Sequence, residues 1–94
     1  GILSIEIKES GFELGGIGKG VVVPKVENRY DVKRLSQELI RIKEKYPQKE
    51  DVVLLARQDL PYETVVNVMD AARETDDGER RPLFPAVSLG EAGK

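Results

Sequence analysis

Chemistry in this chain has to come from carboxylates, lysines, arginines and a few tyrosines, because its 94 residues include no histidine and no cysteine. Without imidazole the usual general base near neutral pH and the commonest metal ligand are missing. Without thiols, cysteine nucleophiles, thiolate metal sites and disulfides are missing too. Gly15-Gly16-Ile17-Gly18-Lys19-Gly20 has the composition of a phosphate-cradling loop, but no Ser or Thr follows Lys19. Val21-Val22-Val23 also reads as a strand where such a loop must open a helix, so a flexible hairpin connection is the simpler reading. Asp76-Asp77-Gly78-Glu79 lacks the regular spacing of a calcium loop and reads as a helix-ending turn. Asp59 with Asp70 could act as a carboxylate pair, yet no third group is identifiable to orient them. Arg80-Arg81 could meet an acidic partner, although a solvated turn explains the pair as well. Tyr62 is a candidate binding aromatic, and its helical spacing with Val65, Val66 and Met69 favours a core or interface role.

The elements that must position these residues follow from periodicity. Val52 to Ala56 is an apolar run, read as a central strand, and Gln58 to Ala71 then supplies a tight turn and a helix. Pro61, with fixed φ and no amide hydrogen, suits the first helical position, and Asp59 can accept hydrogen bonds from the free amides of the first turn. Tyr62, Val65, Val66, Met69 and Ala72 form the expected buried stripe, and Asp76-Asp77-Gly78 the stop. Upstream, Leu3, Ile5 and Ile7 alternate with polar residues as one strand; Phe12-Glu13-Leu14 and Val21 to Val23 add two more. Asp31 is the expected N-cap of a first helix whose buried stripe is Val32, Leu35, Leu39, Ile42 and Tyr46, with Glu38 on the solvated side. Pro82 to Leu89 supplies a last strand, which Pro85 marks as an edge, a bulge or an offset start, and Gly90 to Lys94 reads as a frayed tail.

The order strand, strand, strand, helix, strand, helix, strand predicts an α+β fold: a two-layer sandwich with two helices on one face of a mixed four- to five-stranded sheet. Ninety-four residues, 39% of them hydrophobic, suit one domain with a single core. Fifteen basic and 17 acidic residues are mixed along the chain, for a net charge of -2, which argues against nucleic acid as a partner. The apolar runs fall far short of the roughly 20 residues of a membrane span. The chain opens directly on a strand pattern, as a domain separated from a membrane anchor would.

Residues Pro61-Tyr62 followed by Val65-Val66-Asn67-Val68-Met69-Asp70-Ala71 resemble the periplasmic domain of the ExbD/TolR family, the small partner of proton-driven inner-membrane motors. The helix around Leu35 to Ile42 with Lys43 and Tyr46-Pro47 is similar to that family's first helix. Leu83-Phe84-Pro85-Ala86-Val87-Ser88-Leu89 is similar to an AglS-type gliding-motility subgroup. The resemblance covers about Leu3 to Leu89. Arg57 stands where the family often has an acid, and Gly15 to Asn28 is longer than usual. The resemblance implies a non-enzymatic periplasmic domain of a single-pass inner-membrane protein that needs no cofactor or metal. It also implies a homodimer, an ExbB/TolQ-like channel subunit reached through a membrane helix, and a TonB/TolA-like periplasmic protein or peptidoglycan as further partner. The expected partner or dimer contacts are Asp59, Pro61, Tyr62, Leu83, Phe84, Pro85, Val87 and Leu89. The alternative is a small ferredoxin-like regulatory domain binding a metabolite.

Overall fold

Leu3, Ile5 and Ile7 bury one face of β1 (Leu3–Lys8), as their two-residue period requires, and the chain turns back at once into β2 (Gly11–Gly15). The structure, a computed structural model, describes residues 1–75 and 77–92. Glycine is required at position 11: φ is +146°, and a Cβ there would sit 2.2 Å from the Val23 carbonyl oxygen. β3 (Val21–Pro24) pairs antiparallel with β2, and β2 pairs antiparallel with β1.

The polar stretch after β3 is more ordered than its composition suggests. Val26 and Arg29 exchange both backbone hydrogen bonds, at 2.9 and 3.0 Å, around Glu27 and Asn28, which both have positive φ. That is the two-residue turn of a tight hairpin. Tyr30 then folds back on the sheet. Its ring stacks on Phe12 with centroids 5.1 Å apart, its hydroxyl donates to the Lys8 carbonyl at 2.6 Å, and the Lys25 ammonium lies 4.5 Å from the ring centre.

Asp31 caps α1 (Val32–Lys45) as expected, its Oδ1 accepting from the Arg34 amide at 3.0 Å. Leu35 and Leu39 are fully buried. Glu38 is not on the solvated side but buried at 6% exposure. Its Oε2 accepts from Arg34 Nε and Arg41 Nη1, both at 3.1 Å, so two guanidiniums one turn away compensate the desolvated carboxylate.

β4 (Asp51–Ala56) pairs parallel with β1, and β5 (Ala86–Glu91) pairs parallel with β4, giving the strand order β3-β2-β1-β4-β5. α2 (Tyr62–Arg73) connects β4 to β5 and packs beside α1. The fold is the expected α+β sandwich, with a five-stranded mixed sheet. The core joins Leu3, Ile5, Phe12, Leu14, Val52 and Leu54 to Leu35, Leu39, Val68 and Ala72 of the helices.

Four expectations are corrected around α2. Pro61 is the residue before the helix rather than its first member, with ψ of 137°, and its carbonyl accepts from the Thr64 and Val65 amides at 3.0 and 3.3 Å. Asp59 makes no capping bond and instead faces Arg57 Nε at 3.4 Å. The buried stripe runs through Val68 and Ala72, with Val65 and Met69 packed against it, so it is rotated away from Tyr62, which is 82% exposed. The helix also ends before the expected stop: Glu74 is already extended. Asp76, part of that stop and of the weighed calcium turn, lies outside the described residues.

The last expected strand divides in two. Leu83 and Phe84 precede β5 and plug the core, at 3% and 0% exposure, while their amides donate to the carbonyls of Arg73 and Ala72 at 2.7 and 2.9 Å. These bonds satisfy carbonyls that the end of α2 leaves open. Pro85 separates the plug from the strand. β5 then runs to Glu91, so Gly90 and Glu91 are strand rather than tail; Gly93 and Lys94 lie outside the described residues.

Candidate partner-binding surface

β5 ends the sheet on one side. Ala86 donates to the Glu50 carbonyl at 3.1 Å and Ala92 to the Ala56 carbonyl at 3.2 Å, so the even-numbered residues face β4. The N–H and C=O groups of Val87, Leu89 and Glu91 therefore point to the outer edge, where no described element pairs with them. By register Val87 and Leu89 stand on the helix-bearing face beside Val52 and Leu54. Val87 is half-buried against the core, whereas Leu89 is 60% exposed. A row of unpaired backbone groups with an exposed leucine is what an added strand would cover.

The expected contact residues divide between this edge and the interior. Val87 and Leu89 lie on the edge and Pro85 is exposed at its start. Leu83 and Phe84 are instead buried in the chain's own core and present no surface in the single chain. Asp59, Pro61 and Tyr62 belong to the turn after β4, and Ala56 of β4 pairs with Glu91 of β5. That turn therefore follows the C-terminal end of β4, beside the end of the edge strand. It brings an exposed aromatic there, and no catalytic pairing: Asp59 is engaged with Arg57, and Asp70 faces Arg73 at 3.7 Å.

The other candidates take the simpler reading. Lys19 sits in the β2–β3 connection and opens no helix. Arg80 and Arg81 are exposed and pair locally, with Glu74 at 3.3 Å and Asp77 at 2.6 Å. A groove of about 730 Å³ separates α1 and α2, lined by Lys33, Gln37 and Ile40 on one side and Asn67, Asp70 and Glu74 on the other.

Two groups have shifted pKa values near the opposite edge. Glu13, through its hydrogen bond and its charge, holds the Lys8 ammonium above its ordinary 10.5. Burial holds the Tyr30 phenol above its ordinary 10.0. Neither shift places a proton donor or acceptor near neutrality, as acid–base catalysis at that pH would ask.

Sequence reasoning missed Glu6, Val53 and Leu55 as surface residues of interest. They share the sheet face turned away from the helices, and only strand register shows them to be neighbours. Comparison with protein-family models, with curated proteins and with solved structures finds no match for this chain.

Proposed function

We propose that this domain is a non-enzymatic coupling module that dimerises through the β5 edge, as the periplasmic subunit of a proton-motive-force-driven motor of the ExbD/TolR kind. In that role it joins an ExbB/TolQ-like channel subunit to a TonB/TolA-like partner or to peptidoglycan. The observation that carries the reading is the edge itself. Six residues of parallel strand keep three outward-facing backbone positions and an exposed Leu89, with no charge before Glu91. Edges of that length are normally blunted by charge, proline or cover.

Sedimentation equilibrium on the wild type, Leu89→Lys and Val87→Pro tests it. The proline removes an N–H that β4 does not use, and the lysine places a charge on the edge. The expected result is a wild-type dimer and monomeric variants with folded spectra. A wild type that stays monomeric at every concentration would defeat the dimer. The motor assignment is tested separately by the gene upstream of Gly1, where an apolar span of roughly 20 residues is expected.

The inter-helix groove supports a second reading, a regulatory domain that binds a metabolite there. A catalytic domain encoded upstream of Gly1 would favour it. Its fold would not be ferredoxin-like, since the order here is βββαβαβ rather than βαββαβ.

A further inference from the structure

The sheet face turned away from the helices carries one complete transverse row. Val22, Glu13, Glu6, Leu55 and Gly90 stand side by side on β3, β2, β1, β4 and β5. Glu6 and Glu13 are directly opposed on neighbouring strands, an arrangement that destabilises a sheet by like-charge repulsion. Lys8 pairs with Glu13, but Glu6 makes no ion pair among the described residues. The flanking positions are apolar: Val22 is 63% exposed and Leu55 half-buried. Gly90 leaves Leu55 room, since a Cβ there would meet its Cδ2 at 3.0 Å.

We propose that this face docks a cationic amphipathic helix of a partner protein, laid across the strands. Its two basic residues would sit over Glu6 and Glu13, and its apolar residues against Val22 and Leu55. Strands are about 4.8 Å apart and a helix rises about 5.4 Å per turn, so successive turns of one helix face fall over successive strands. The row from Val22 to Leu55 spans roughly 14 Å, which matches apolar residues at i and i+10 with cations at i+3 and i+7. Asp51, on the same face by alternation from Val52, adds a third acid, against Lys8 as the one cation among the described strand residues of that face. Charge and spacing therefore select the same occupant. This surface is independent of the β5 edge.

The test is a titration of ¹⁵N-labelled protein with a helix-stabilised synthetic peptide carrying leucine at i and i+10 and lysine at i+3 and i+7, beside a matched peptide with glutamate for lysine. Saturable shifts are expected at the amides of Ser4 to Lys8, Glu13, Val53 and Leu55. Affinity should fall about tenfold or more for the glutamate peptide and for the Glu6→Gln/Glu13→Gln variant. Equal binding of the two peptides, or shifts confined to β5 or to the inter-helix groove, would overturn the proposal. So would concentration-dependent shifts of the same amides in the protein alone, which would make the occupant a second copy. Leu89→Lys should bind the lysine peptide unchanged, so loss of the edge reading and loss of this one are read separately.

Discussion

The two edges of this sheet are built on opposite principles. β3 is four residues long, and its outward positions are Val22 and Pro24, because the Lys25 amide donates to the Ser10 carbonyl and sets the alternation. Proline has no N–H to offer, so little of that edge can template another strand. β5 is longer and keeps its outward groups. What fixes each edge also differs. Beside β3, Tyr30 stacks on Phe12 of the neighbouring β2, whereas β5 follows directly on the buried Leu83-Phe84 plug. An edge strand can stay chemically open when its position is secured elsewhere.

The plug offers the largest test of that difference. Phe84→Ala should cost about 3–5 kcal/mol in chemical denaturation, because a fully buried ring is lost beside the end of α2. A loss no greater than that of Leu89→Ala would mean that β5 holds itself. On the other edge, Tyr30→Phe removes the bond to the Lys8 carbonyl and should cost about 0.5–1.5 kcal/mol.

Alkali sharpens the same contrast. Tyr30 and Lys8 both hold their protons more tightly in the folded state, so the unfolded chain releases them first as pH rises. Their contribution is intact below the ordinary tyrosine value of 10.0 and fades as pH climbs through the raised folded values. Denaturation midpoints followed from neutral pH into that range should decline, and less steeply in Tyr30→Phe. An identical slope would remove Tyr30 from the account.

Smaller effects probe the edges alone. Pro24→Ala should cost at most about 1 kcal/mol, through unfolded-state entropy, while adding an outward N–H that promotes self-association. Leu89→Lys should leave stability within about 0.5 kcal/mol and act on assembly alone. If sedimentation showed Pro24→Ala unchanged, length rather than proline would be what closes β3.

Much of this architecture is readable from the chain. Alternation in Leu3 to Ile7, the Asp31 cap and the apolar Val52 to Ala56 run lead to the right elements in the right order, because each signal is local. The α2 errors have a physical source. Val65, Val66, Val68 and Met69 are apolar within one turn and a half, so their spacing leaves the helix phase open, and only packing against α1 and the sheet selects Val68. Pro61 fits a first helical position by type, yet its ψ places it outside. Burial of Glu38 carried a legible signal, arginines at i−4 and i+3, which a charge-equals-surface reading overrides. The docking surfaces depend on long-range register. The Glu6–Glu13 opposition and the outward phase of Val87 and Leu89 follow from which strands meet.

The parallel pairing of β1 and β5 to the same central strand has a mechanical consequence. Tension between Gly1 and Ala92 would draw β1 from its leading end and β5 from its trailing end, along the strands and across their hydrogen bonds. Both ladders would then be sheared as units rather than peeled one rung at a time. The domain is thereby arranged to resist stretching at its ends.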